Sequence, residues 1–177
     1  DGAAAAALRA AQKEVGRLDD LLTAFLRFAR PKKPERREVN VADLLDELKT
    51  FVGALAAQKG VTLTLDAGPA LQVKTDGNLL KQALLNIILN SFDAGARDVT
   101  VQARGDDEKI TVTVKDDGPG FAEPERAFEP FYSTKAEGSG LGLPTSRAIA
   151  LALGGELRLG TPGRGAEVIL TIPYEAP

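Results

Sequence analysis

The run LLNIILNSFDAGA at residues 84–96 constrains the fold more than any other stretch. Leu84, Leu85, Ile87, Ile88 and Leu89 make a helix fit for a core face, yet Asn86 and Asn90 interrupt it four residues apart, on one side of that helix. A buried carboxamide left without partners costs about 1–3 kcal/mol. The two asparagines must therefore meet polar groups in the core or face a cavity where something polar binds.

Around this helix the chain supplies partners to pack it. Asp76 is its expected N-cap and Gly95 its terminator. A second helix is expected over Ala42–Lys59, ended by Gly60, and a third after Gly142, with Pro144 near its first turn and Gly154-Gly155 at its end. VTLTL (61–65) alternates as a strand should, and DVTVQAR and KITVTVK do the same across the turn GDDE. GELRLG and AEVILTIP form a second hairpin, while Val39–Val41 and LQVK (71–74) are weaker strands. Three helices and five to seven mostly antiparallel strands, with helices enough for one face, give an α+β fold, a two-layer α/β sandwich.

A long helix is expected ahead of this domain, over residues 3 to about 30. Leu8, Ala11, Val15, Leu18, Leu22, Phe25 and Ala29 keep a three-four spacing, and Leu21, Leu26 and Phe28 widen the stripe toward a bundle helix that needs partner helices. Pro31 stops it, and PKKPERRE reads as a charged linker. The expected division is 1–31 arm, 32–37 linker and 38–177 globular domain.

Composition narrows the chemistry. With no Cys, disulfides, thiolate nucleophiles and Cys metal sites are excluded, which fits a reducing compartment. With no His, the commonest general base and phosphoryl acceptor is missing. A net charge of -3 gives no reason to expect nucleic acid as a partner. No run approaches the ~18 apolar residues of a membrane helix. The absence of Met favours a piece of something longer over a processed chain.

Three further stretches accompany the Asn helix. In VKDDGPGF (114–121), Gly118 and Gly120 let the backbone turn sharply, and Asp116 sits at a strand mouth where it can accept a hydrogen bond from an exocyclic amine. In EGSGLGLPTSR (137–147), Gly138, Gly140 and Gly142 precede a helix, an arrangement that frees backbone N–H groups for an anion; Ser139 and Lys135 could add a hydroxyl and a positive charge. Between them AFEPFYSTK (127–135) carries an aromatic cluster, Phe128, Phe131 and Tyr132, readable as a lid or as a satellite core. Singly, each is also compatible with an ordinary loop.

In this order the motifs closely resemble the catalytic, ATP-binding domain of sensor histidine kinases, within the wider GHKL nucleotide-binding superfamily with its Bergerat-type fold. NIILN matches the N box, DDGPGF the first glycine box, FEPFYSTK the F box and GSGLGL the second glycine box, and the resemblance spans roughly residues 38–175. The arm resembles the second helix of the family's dimerisation bundle.

The resemblance implies ATP and Mg²⁺ as ligands. It implies that Asn90 holds Mg²⁺, Asn86 orients phosphates or metal-bound water, and Asp116 accepts the adenine amino group. Gly118, Gly120 and Phe121 would shape the adenine pocket. Gly138, Ser139, Gly140, Leu141, Gly142 and Leu143 would line the phosphates, and Thr134 and Lys135 would reach them from the lid. Asp93 stands where many relatives place a phosphate-contacting basic residue, with Arg97 one turn later as a candidate replacement; Leu153 replaces a common His. A phosphoacceptor His outside this chain, an upstream dimerisation helix, a homodimeric parent and a response regulator receiver domain are the implied partners, in a cytoplasmic setting whether or not the parent is membrane-anchored. The fragment is expected to bind ATP and not to autophosphorylate. Other readings are a superfamily ATPase, a serine kinase or a non-enzymatic dimerisation module. An amide cannot take a proton, so Asn86 argues against fast hydrolysis.

Overall fold

The computed structural model describes residues 33–68, 71–135, 138–161 and 163–174, together with isolated helical positions at 4, 7, 8, 11, 12, 15 and 16. The long helix expected over residues 3 to about 30 therefore lies largely outside the described residues.

The elements run β1 (Arg37–Asn40), α1 (Val41–Lys59), β2 (Thr62–Ala67), β3 (Gln72–Thr75), α2 (Gly77–Asp93), β4 (Asp98–Gly105), β5 (Lys109–Asp116), a 3₁₀ turn (Pro124–Arg126), α3 (Gly142–Ala152), β6 (Glu156–Leu159) and β7 (Glu167–Pro173). Five strands form one sheet in the order β2-β4-β5-β7-β6, and β1 and β3 pair separately. β2 runs parallel to β4 and the remaining pairs are antiparallel.

Alternation decides which sheet face is covered. Val99, Val101 and Ala103 of β4 and Ile110, Val112 and Val114 of β5 are buried, while the intervening residues are half-buried or exposed. The helices cover that one inner face. α1 packs on β2, α2 on β4 and β5, and α3 on α2 and β6. The expected two-layer sandwich is what forms.

Local chemistry sets the boundaries. Asn40 accepts a hydrogen bond from Ala42 N at 3.0 Å and so caps α1. Val41, expected in a strand, is consequently the first residue of that helix, and β1 ends one residue earlier. Gly60, at φ 67°, closes α1 with its N–H on Ala56 and Ala57. Asp76 caps α2 through Asn78 N and Leu79 N. One expectation for α2 needs correction. Leu84, Ile87 and Ile88 are buried, but Leu85 and Leu89 are only half-buried at the edges of the core face, because each lines an open groove beside the helix.

Candidate functional site

Period two along β5 puts Asp116 on the same face as Ile110, Val112 and Val114, so the strand ends with a carboxylate aimed into the helix layer. It is 6% exposed, and both of its oxygens accept hydrogen bonds. Oδ2 accepts from Ser91 Oγ at 2.7 Å; Oδ1 accepts from Gly118 N at 2.9 Å and Ala166 N at 3.0 Å. Its neighbour Asp117 turns away and accepts from Arg97 N and Asp98 N, contacts that hold its carboxyl below the usual range. One acid of the pair belongs to the cleft and the other anchors the start of β4.

Asp116 lines a cleft of about 440 Å³ together with Asn86, Asn90 and Asp93, the polar stripe of α2. Gly120, Phe121, Thr134, Lys135, Gly138, Ser139, Gly140, Gly142 and Leu143 complete it, so most of the residues singled out in the sequence do meet. Three do not line it. Gly118 lies behind Asp116 and Leu141 is buried beneath. Arg97, expected to offset Asp93, is exposed at the start of β4, where its backbone is tied to Asp117. The cation beside Asp93 is instead Lys59 of α1, with Nζ 3.0 Å from Oδ1.

The lid side is held by polar contacts. Lys135 Nζ donates to Asn90 Oδ1 at 2.7 Å and to Asn90 O at 2.9 Å. Burial lowers the proton affinity of this ammonium, and Asp93 and Asp116 partly oppose that. Tyr132 donates to Glu123 at 2.9 Å and stacks its ring under Arg126. Arg126 also binds Glu123 and Glu129, which raises its proton affinity and lowers that of Glu123.

The expected aromatic cluster is divided. Phe128 packs on the core, whereas Phe131 is 61% exposed at φ 68°. Gly140 permits a close backbone approach to this point. Phe131 N donates to Gly140 O, and a Cβ on Gly140 would come within 2.5 Å of the Phe131 backbone. The N–H of Gly138 is spent on Lys135 O, so not every glycine of the second box frees a donor for an anion.

Sequence reasoning overlooked Ser91, Glu123, Ala166 and Lys59. Ser91 had a signal, a hydroxyl on the buried side of an apolar helix. Ala166 had none, since it acts through its backbone. A second groove, of about 1130 Å³, lies between the N-terminal ends of α1 and α2 and the side of α3. It is the larger of the two but is lined by none of the candidate ligand-binding residues named from the sequence, and its size alone assigns it no chemistry.

The model of the family described as histidine kinase-, DNA gyrase B- and HSP90-like ATPase matches residues 75–176, which takes in α2, both glycine-bearing loops and the terminal hairpin. The chain is 34% identical over 168 residues to the sensor histidine kinase ZraS of Klebsiella oxytoca, covering 91% of this chain and 36% of that protein. It matches full-length ShkA in complex with AMPPNP at 28% identity and a TM-score of 0.82, over 95% of this chain and 38% of that one. It matches the catalytic domain of the histidine kinase ThkA at 26% identity and a TM-score of 0.73, over 79% of this chain and 96% of that one. The chain spans roughly a third of the length of the curated relatives it matches.

Proposed function

The chain belongs to the family of histidine kinase-, DNA gyrase B- and HSP90-like ATPases, and on that footing we propose that it is the Mg-ATP-binding catalytic module of a sensor histidine kinase. The γ-phosphoryl group would pass to a histidine outside this chain, for relay to a response regulator receiver domain, in a parent that is a homodimer. The P–O bond to ADP breaks, a P–N bond to the imidazole forms, and the displaced proton goes to a base outside this chain.

The observation that carries this reading is one cleft with an anchored carboxylate at one part of its wall and an amide–ammonium pair at another. Asp116 has donors fixing both oxygens, so its direction is set before any ligand arrives, and its acceptor capacity suits an exocyclic amine. Asn90 and Lys135 supply a neutral oxygen and a positive charge for phosphates. Mg²⁺ fits this donor set. Asn90 Oδ1 is a hard oxygen that already holds a cationic ammonium, and among the described residues no group of three His, Cys, Asp or Glu offers an all-protein site. Phosphate oxygens and water would complete the coordination, and the ion would neutralise phosphate charge. Asn86, unable to take a proton, supports transfer over hydrolysis.

Calorimetric titration with a non-hydrolysable ATP analogue tests the reading. Saturable binding strengthened by Mg²⁺ is expected, and Asn90→Ala should remove most of the Mg²⁺ enhancement. No binding at millimolar nucleotide would sink it and leave a non-enzymatic module as the better account.

A further inference from the structure

The polar stripe of α2 ends in a full negative charge. Asp93 follows Asn90 by three residues on the cleft face, on the side from which Lys135 reaches in. A bare carboxylate there would repel an anionic ligand. Its partner is Lys59, the last residue of α1, which lines no part of the cleft and lies 34 residues earlier in the chain. Two carboxylates, Asp93 and Asp116, thus face two ammoniums, Lys59 and Lys135. Among the described residues, the remaining carboxylate on the cleft wall, Glu123, is bound by Arg126. Without Lys59 the balance around Lys135 tips negative.

We infer that Lys59 is a positioning residue for nucleotide binding, holding Asp93 so that the phosphates meet Lys135 without opposition from the end of α2. The inference rests on the ATP-binding reading. The pair adds little to the fold, since the side chains are 39% and 57% exposed and such pairs contribute little to stability. Its consequence is electrostatic and local. One uncompensated charge several ångströms from a polyanion, largely screened by water, changes affinity about three- to five-fold.

The test is a charge cycle on the whole chain, titrated with Mg²⁺ and the non-hydrolysable ATP analogue at low and high salt. Lys59→Gln should weaken binding about three- to five-fold at low salt and much less at high salt, where the screening length contracts. Lys59→Arg should bind as the parent does. Asp93→Asn should bind at least as tightly as the parent, and in that background Lys59→Gln should change affinity less than about two-fold. Equal binding by Lys59→Gln and the parent overturns the inference, as does an undiminished loss in the Asp93→Asn background. A parent chain that fails to bind nucleotide overturns the functional reading itself, so the two failures are distinguishable. Unchanged thermal unfolding of Lys59→Gln is the control for fold.

Discussion

On the wall formed by β5 and α2, Asp116 is 6% exposed and receives donors from α2, from the loop that follows β5 and from the loop that precedes β7. Across the cleft, Glu123, Tyr132 and Lys135 sit on a segment whose only regular structure among the described residues is a three-residue 3₁₀ turn. The wall is made of packed elements in which each polar atom has one geometry, and moving it exposes apolar surface or strands a buried donor. The lid is made of contacts between exposed or half-exposed side chains, where water substitutes readily for a lost partner. One side of the cleft is therefore preorganised, and the other can rearrange at small cost. A site that must admit and release a large anionic ligand needs both.

Replacing Asp116 is the most severe challenge to this contrast. Asp116→Ala removes the acceptor for Ser91, Gly118 and Ala166 together, so it should cost about 3 kcal/mol in denaturant unfolding and about a hundred-fold or more in nucleotide affinity. Loss of affinity with unchanged stability would mean that the wall is no more fixed than the lid. On the lid, Lys135→Gln should leave stability nearly unchanged at neutral pH and weaken binding about ten-fold, the scale of one charge-assisted contact.

Lys135 also gives the contrast a pH signature. Burial holds its proton affinity below the ordinary lysine value. Binding by the parent chain should accordingly weaken as pH rises through that lowered value, while binding by Lys135→Gln stays flat over the same range. The unfolded chain holds more protons at this site than the folded one across the window, so the contribution of Lys135 to stability rises there with pH. Titrations and unfolding curves between neutral and alkaline pH check both signs.

The smallest effect is expected for Tyr132→Phe, which loses the hydrogen bond to Glu123 but keeps a ring beneath Arg126. A change below about 0.5 kcal/mol in stability and below two-fold in affinity is expected. A larger loss would show that the lid is built as rigidly as the wall.

The same contrast explains how legible the molecule was in its sequence. Strands and helices follow from alternation and from three-four spacing, because burial on one face imposes those periods. Asp116 could be placed on the inner face by counting back from Val114, Val112 and Ile110, and Asn86 and Asn90 on one stripe by counting four. Asp76 and Gly60 announced their caps. Arg97 was misplaced because one turn along a helix was a poor guide once α2 ended at Asp93 and the backbone turned into β4. Lys59 was invisible as a partner of Asp93 for the opposite reason, since no local pattern connects the end of α1 with the end of α2.

The sequence by itself determined the two-layer architecture, the polar stripe on α2, the carboxylate at the mouth of β5 and the order of the glycine-bearing loops. All of these depend on spacing within a single element or on neighbours along the chain. Only the tertiary structure decided that Ser91 and Ala166 hold Asp116, that Lys135 reaches Asn90, and that the charge beside Asp93 comes from Lys59. Those contacts join residues far apart in the chain, and their partners are chosen by how the helices pack on the sheet, where a displacement of one turn moves a side chain out of hydrogen-bonding reach.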